Sequence, residues 1–323
     1  MTKLLAASLL IAATLFAGCS GAAAPSFNTP DELSAFAGWR GAAPNSKDTF
    51  KFVVMSDRTT KADEPAWQVA VAESNAVKPD FVMTIGDLVQ GYTADETVLR
   101  NSWRDVDAMT QKLDAPFFYC PGNHDVETPA ARKIYTELHG RNGKTWYSFN
   151  YRSCHFVVMD STALVIGQDK ALAEAQWAWL SADLGAANRT ARHIFIFEHH
   201  PLDVKAAWSK ILPMLDPAKT TIFAGHEHQL SYRKFDGVAI YVLGPTGARL
   251  DTVDRAQGLV QMFAEVSVDQ GRPTIAMIPI REIMPHDAVD RNSVLAKRAQ
   301  AKLAASQPTS TPTSAPAPAP AAR

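Results

Sequence analysis

Residues 120–125 read Cys-Pro-Gly-Asn-His-Asp, and the rest of the chain is organised around this stretch. The apolar run 115–119 before it predicts a short buried strand, and residues 128–139 after it predict a helix. Gly122 permits a tight backbone, and Pro121 fixes the angle at which the chain enters the turn. An amide, an imidazole and a carboxylate therefore follow one another at a strand end, which is where open α/β sheets place their chemistry.

Strand-like and helix-like stretches alternate on both sides of this turn, and consecutive strands follow residue 224. This order favours an α/β fold in which two mixed β-sheets pack together with helices on their outer faces, as one domain over residues 50–285. Strands are predicted at 51–55, 81–85, 117–119, 146–151, 155–159, 193–197, 220–224, 230–234, 238–243, 259–266 and 274–280, and helices at 64–77, 94–113, 128–139, 170–184 and 208–215.

The N-terminal residues have the composition of a targeting segment. Lys3 and the apolar run 4–17 precede Cys19, so residues 1–19 resemble a bacterial lipoprotein signal in which Cys19 becomes lipidated. The alternative is an ordinary secretory signal in which Cys19 is incidental. We therefore expect an exported protein, anchored to the membrane of the cell envelope through Cys19, and Ser20 favours the outer membrane.

The other segments outside the predicted domain are poor in core-forming residues. Residues 20–49 indicate a tether and an irregular lead-in, and 286–305 a possible helix. Residues 306–323 are rich in Pro and Ala and predict a disordered tail.

Net charge and cysteine content narrow the function classes. The 323 residues carry a formal net charge of −1, so no basic surface for nucleic acid is expected. Cys120 and Cys154 both flank apolar runs. They form either a disulfide, as export allows, or two buried free thiols.

Polar side chains follow five of the predicted strands. If those strands run parallel, the polar groups meet at one edge. A lone Asp there is usually a helix N-cap, so the prediction rests on the whole set. Carboxylate, amide and imidazole groups together are typical of Zn, Fe or Mn sites, and the absence of thiolates favours a catalytic site. The groups are Asp57, Asp87, Asn123, His124, His199, His226 and His228.

The pair His226 and His228 is the most informative part of this set. In an extended segment, residues two apart point the same way, so both rings are expected to face one point.

These motifs together resemble those of the calcineurin-like metallophosphoesterase superfamily, which includes the purple acid phosphatases. The resemblance covers roughly residues 50–247 and rests on Gly86-Asp87, the Gly-Asn-His-Asp turn, His199-His200-Pro201 and Gly225-His226-Glu227-His228. It implies hydrolysis of phosphate monoesters or diesters by a hydroxide that bridges two divalent or trivalent transition-metal ions (Fe, Zn or Mn).

The resemblance also implies a role for each residue. Asp87 would bridge the two ions. Asn123, His199 and His226 would complete one ion's ligands, with His200 as the alternative to His199. Asp57 and His228 would hold the other ion.

Two further roles concern catalysis rather than metal binding. His124 would face the substrate, together with Asn123, and would stabilise or protonate the leaving oxygen. Asp125 would orient His124.

The first motif departs from the family pattern, because Asp57-Arg58-Thr59 has Thr where the family has a His ligand. Three interpretations stay open. A substitute ligand comes from elsewhere, Gln90 being the equivalent of the purple acid phosphatase Tyr and Tyr92 a neighbour; water fills the position; or only the Asn123-containing site holds metal.

Arg58 in the same motif has two interpretations: it binds the substrate phosphate through a bidentate guanidinium, or it faces solvent at the start of a helix. The missing His also supports a second hypothesis of another class, a lipid-anchored binding or scaffold protein with a degenerate site.

Overall fold

A computed structural model describes residues 48–166, 169–203, 205–280, 284–285, 290–292, 294–296 and 298–299. The predicted signal, the tether up to residue 47 and the tail 306–323 lie outside the described residues, as does much of 286–305. Among the helices that are described, none is long and apolar enough to cross a membrane.

The described chain alternates strands and helices and then continues mainly in strands. The strands are Thr49–Met55 (β1), Phe81–Thr84 (β2), Phe117–Phe118 (β3), Tyr147–Tyr151 (β4), Cys154–Val158 (β5), His193–Phe197 (β6), Thr220–Ala224 (β7), Ser231–Phe235 (β8), Val238–Val242 (β9), Met262–Asp269 (β10), Arg272–Pro279 (β11) and Met284–Pro285 (β12). The α-helices are Glu64–Val77 (α1), Glu96–Thr110 (α2), Asn123–Val126 (α3), Pro129–His139 (α4), Ser161–Val165 (α5), Lys170–Thr190 (α6) and Lys205–Ile211 (α7).

Two six-stranded sheets carry the fold, with the orders β12-β11-β10-β1-β2-β3 and β4-β5-β6-β7-β9-β8. In the first sheet, β1, β2 and β3 run parallel, and β10 pairs antiparallel with β1. In the second sheet, β5, β6, β7 and β9 run parallel, with β4 and β8 antiparallel at the two edges. The predicted α/β fold with two mixed sheets is confirmed.

Aromatic side chains fill the space between the sheets. Phe52 of β1 stacks on Phe81 of β2 with ring centroids 5.2 Å apart, and it meets Phe195 of the other sheet edge-on at 5.0 Å. Edge-to-face pairs of this kind stabilise a core beyond the area they bury. Two further apolar clusters lie on the outer faces, one under α1, α2 and α4 and one under α6 and α7.

Local sequence signals set the helix starts. The side chains of Asp63, Asp95, Thr128 and Asp169 each accept a backbone N–H bond at the start of a helix, as N-caps do. Asp160 caps α5 in the same way. Helix α6 continues to Thr190, six residues beyond the predicted end at 184, because Ala186, Ala187 and Arg189 still suit a helix there.

Two other predictions have a clear outcome in this part of the fold. Cys120 and Cys154 are buried free thiols, so the structure selects this alternative over a disulfide. The Asn-His-Asp turn is itself helical, since it forms the short helix α3.

Candidate metal centre

The predicted ligands come together where the parallel strands of both sheets end. Asp57 follows β1, Asp87 follows β2, and Asn123 opens α3 after β3. His199 follows β6, and His226 follows β7. Because the carboxyl ends of parallel strands face one way, five short loops bring these side chains to one place.

One group of donors converges tightly. Asp87 Oδ2 lies 3.1 Å from His199 Nε2, and His226 Nδ1 lies 3.3 Å from the same nitrogen. Asn123 Oδ1 lies 3.0 Å from His226 Nδ1. These are the four residues that the sequence assigned to one ion, three of them as its own ligands and Asp87 as the bridge.

The second group lies beside the first and is smaller. His228 Nε2 lies 3.1 Å from Asp57 Oδ1, and the Asp57 side chain also accepts from the Ser56 hydroxyl. Burial alone would raise the pKa of Asp57, but the adjacent His199 and His228 outweigh it and hold the pKa below its ordinary value. The carboxylate therefore stays ionised and available to a cation.

The backbone of the ligand loops is unusual. Asp87, His226 and His228 have φ values of 59°, 68° and 51°, the left-handed region that non-glycine residues seldom occupy. Such conformations cluster at functional sites, where the surrounding structure holds them. The extended geometry predicted for 226–228 is therefore wrong: the bent backbone sends the two rings to different partners, His226 to Asn123 and His228 to Asp57.

Glycine leaves the room that the carboxylates need. A Cβ on Gly122 would lie 2.2 Å from Asp87 Oδ1, and one on Gly225 would lie 2.6 Å from Asp57 Oδ2. Both distances are shorter than any real contact, so only glycine lets these loops approach the two acidic side chains.

The donor set fits metal ions. His199 Nδ1 faces the Ile85 carbonyl at 2.9 Å, which places its proton there in the neutral ring and leaves a lone pair on Nε2. That lone pair faces the Asp87 carboxylate, an arrangement that needs a cation between them. Burial lowers the pKa of His199, but Asp87 and Asp57 outweigh it and raise the pKa to about 9. In the metal-free site a proton on the His199 ring therefore takes the place of that cation.

Comparison with known proteins identifies the family. The family model described as calcineurin-like phosphoesterase matches residues 50–230, more than half of the chain. The chain belongs to the calcineurin-like phosphoesterase family. No curated protein sequence matches it.

Solved structures share the phosphoesterase fold at low identity. A dimetal phosphatase from Danio rerio is 14% identical with a TM-score of 0.55, over 73% of this chain and 98% of that one. The Plasmodium protein GAP50, described as the anchor in the inner membrane complex, is 14% identical with a TM-score of 0.55, over 78% and 94%. The yellow lupin purple acid phosphatase PPD1 is 15% identical with a TM-score of 0.52, over 84% and 58%.

His124 of this phosphoesterase lies at the rim of the donor cluster. Its Nε2 is 3.9 Å from Asp87 Oδ2, and its backbone N–H donates to Asp87 Oδ1 at 2.8 Å. The ring packs against Tyr92 with centroids 4.4 Å apart. Burial outweighs the opposing effect of Asp87 and lowers the pKa of His124 below its ordinary value, and a bound phosphate anion would favour the protonated ring.

Asp125 does not orient the His124 ring as predicted. Its carboxylate accepts four backbone N–H bonds, from Asp87 at 2.7 Å, Leu88 at 2.9 Å, Val89 at 3.1 Å and Gly122 at 2.9 Å. The physical reason is that α3 turns this side chain toward the loop after β2. Asp125 therefore positions the Asp87 loop, while the buried His124 Nδ1 lacks a hydrogen-bond partner among the described residues.

Thr59 and Gln90, the positions of the missing ligand and its substitute, contact each other. The Thr59 hydroxyl donates to Gln90 Oε1 at 2.8 Å. Both line a cavity of about 350 Å³, and Arg58 and Asp105 form other parts of its wall. The Gln90 oxygen is thus occupied in this conformation, and its role as a ligand stays a prediction.

Arg58 is neither solvent-facing nor directed at the Asp87 carboxylate. Its guanidinium pairs with Glu64 and donates to the Leu88 carbonyl at 2.8 Å, and its side chain is 14% exposed. Its binding of substrate phosphate stays a prediction, and it would require the Glu64 pair to open.

Tyr92 has a task that the sequence did not reveal. Its hydroxyl accepts from Asn123 Nδ2 at 2.6 Å and donates to Glu127 at 3.0 Å. This bond turns the Asn123 amide so that its oxygen faces His226. The sequence contains no signal for it, because Tyr92 and Asn123 meet only through the fold.

The loop after β6 is held from two sides. The Ser161 hydroxyl of α5 accepts from the backbone N–H groups of His199 at 3.0 Å and His200 at 2.8 Å. Glu198 accepts from the Leu202 N–H at 2.8 Å, and burial raises its pKa to about 8. Glu198 therefore braces this loop.

Proposed function

We propose that the protein is a metal-dependent hydrolase of phosphate esters that acts at the cell envelope. The observation that carries the proposal is the convergence of Asp87, His199 and His226, whose donor atoms lie within 4.8 Å of one another. Asn123 joins this group and Asp57 with His228 lies next to it, so the chain offers donors for the two ions that the family uses.

The chain holds and aims the reacting groups. Bound in such a site, a metal pair lowers the pKa of water and polarises phosphoryl oxygens. Asp57, Asp87, Asn123, His199, His226 and His228 would hold the two ions. Asp57 and His199 are both fully buried, so bulk water is excluded from the inner side of the cluster.

His124 is the group that acts on the leaving oxygen. It lies at the rim beside Asp87, with only 8% of its surface exposed. Its Nδ1 is buried and has no hydrogen-bond partner in the described part of the chain, whereas Nε2 faces the cluster and can donate a proton. General acid catalysis of this kind contributes roughly 10²–10⁴-fold to a rate.

Hydrolysis of chromogenic esters tests the proposal. Protein freed of metal and then loaded with Zn²⁺, Mn²⁺ or Fe should cleave p-nitrophenyl phosphate, bis-p-nitrophenyl phosphate or both, which also separates monoesterase from diesterase activity. Asp87→Ala should abolish turnover and metal binding together. His155→Gln is the matched control, since His155 pairs with Asn150 and Asp183 on β4 and α6, outside the donor cluster. Full activity in Asp87→Ala would contradict the proposal.

Action at the envelope is proposed from residues 1–19 alone. Lipidation of Cys19 predicts that the protein partitions with membranes and that Cys19→Ala releases it in soluble form. Membrane fractionation of cells that express both forms measures this, and equal partitioning would contradict anchoring through Cys19.

A binding or scaffold role remains the second candidate, and Thr59 in place of a His ligand is the observation that favours it. It predicts a wild-type protein that binds no metal and hydrolyses neither ester. Metal analysis of the purified protein separates the two candidates.

A further inference from the structure

A segment near the C-terminal end of the described chain packs onto the loop that carries His226 and His228. Residues 291–292, 294–296 and 298–299 are helical, and Asp290 forms a parallel bridge with Tyr232 of β8. Val294 is 1% exposed and joins the core between the sheets. The segment lies outside the residues 50–230 that the family model matches.

Glu227 is the point of contact, and it lies between the two predicted ligands. Its carboxylate oxygen Oε2 accepts from Arg291 and, at 3.1 Å, from Arg298. Its side chain is 12% exposed and that of Arg291 is 7% exposed, so this ion pair is largely removed from solvent. Breaking such a pair leaves a buried charge without a partner, which is strongly unfavourable.

Arg298 makes three separate bonds to the loop. Besides the Glu227 carboxylate, its Nη2 donates to the Glu227 carbonyl at 3.1 Å and its Nε to Gln229 Oε1 at 2.7 Å. A planar guanidinium that binds a side chain, a backbone carbonyl and the next side chain but one fixes the path of the backbone. That path contains the left-handed residues His226 and His228, which need such external support.

Arg291 also reaches the loop that carries His199, the third predicted histidine ligand. Its Nη2 lies 3.8 Å from Asp203, two residues after Pro201, and Asp203 pairs with Arg233 of β8. The same arginine therefore contacts the loop after β6 and the loop after β7.

We propose that Arg291 and Arg298 are positioning residues that clamp the His226–His228 loop through Glu227 in the geometry that binds metal. The inference rests on the metal-binding part of the proposed function. It makes Arg291 and Arg298, which lie outside the family match, part of what shapes this chain's metal site.

The test measures Zn²⁺ affinity of the full-length protein by competition with a chromophoric chelator, alongside urea unfolding of the metal-free protein. Arg298→Gln should weaken Zn²⁺ binding by about tenfold or more, the usual effect of losing a group that orients metal ligands. Arg100→Gln is the matched control: Arg100 is 41% exposed against 38% for Arg298, and it pairs with Glu137 on α4. The control should keep wild-type affinity. Both variants should be fully folded in the absence of urea, because Arg291 still pairs with Glu227 in Arg298→Gln.

A double-mutant cycle assigns the effect to the clamp. Glu227→Gln should also weaken Zn²⁺ binding, and the double variant with Arg298→Gln should lose less than the product of the two single effects. Wild-type Zn²⁺ affinity in Arg298→Gln, or independent effects in the double variant, would overturn the inference. A wild-type protein without Zn²⁺ binding would overturn both this inference and the proposed function, whereas Zn²⁺ binding without ester hydrolysis would overturn the proposed function alone.

Discussion

Replacing Asp125 by asparagine should destabilise the metal-free protein strongly. The two carboxylate oxygens accept four backbone N–H bonds, two each: Oδ1 from Leu88 and Val89, and Oδ2 from Asp87 and Gly122. An asparagine must place its NH₂ group on one side, where it would face two N–H donors. Either orientation of the amide therefore removes two of the four hydrogen bonds.

The magnitude follows from the kind of bond that is lost. Hydrogen bonds to a charged group contribute about 1.5–3 kcal/mol each, so the loss of two predicts about 3–6 kcal/mol. That is a large fraction of the free energy of unfolding, which is about 5–15 kcal/mol for a typical protein. Burial raises the pKa of Asp125 to about 7, so unfolding is best measured at pH 8, where the carboxylate is ionised.

Urea unfolding in the presence of a chelator is the assay, and Asp95→Asn is the control. Asp95 caps α2 by accepting from Thr97 and Val98 at an exposed position, where asparagine serves equally well. The control should therefore unfold like the wild type. An Asp125→Asn variant with wild-type stability, whose turnover falls as far as that of His124→Ala, would refute the reasoning and restore the orienting role expected from the sequence.

Three other perturbations test separate parts of the site and the core. Gly122→Ala places a Cβ 2.2 Å from Asp87 Oδ1 and should weaken Zn²⁺ binding in a chelator competition. The control is Gly185→Ala in α6, where an added Cβ would meet no atom within 4 Å, and it should leave Zn²⁺ binding unchanged. His124→Asn should lower kcat by about 10²–10⁴-fold while the metal content measured by mass spectrometry stays that of the wild type; a lowered metal content would instead make His124 a ligand. Burial, followed by Lys219, lowers the pKa of His193 to about 4. The neutral ring's contribution is therefore complete above about pH 6.5 and lost as the pH falls towards 4, by about 3 kcal/mol. His193→Gln should remove that part of the loss in urea unfolding, and an unchanged pH profile would contradict it.

The sequence predicts the strand ends well because they combine two independent signals. Apolar runs mark β1, β2, β6 and β7, and a polar residue within three residues after each strand marks the edge that faces the site. The family motifs then assign Asp57, Asp87, Asn123 and the three histidines. These positions are within a few residues of a strand, so local pattern places them correctly.

The remaining features depend on contacts between distant parts of the chain. Asp125 binds N–H groups of a loop 36 to 38 residues earlier, and the motif does not indicate which way the side chain turns. Glu227 meets Arg291, 64 residues later, in a segment for which the sequence suggests a helix but no partner. The left-handed backbone at His226 and His228 likewise falls on residues other than glycine, so the sequence does not indicate it. The sequence shows which chemical groups are present, but the direction of a side chain within a loop depends on the tertiary structure.

Anomalous X-ray diffraction from crystals of the protein loaded with Zn²⁺ or Mn²⁺ tests the central claim most directly. We expect one peak among Asp87, Asn123, His199 and His226, and a second between Asp87 and the pair Asp57 and His228. A metal-loaded protein without a peak at the Asp87 carboxylate would contradict it.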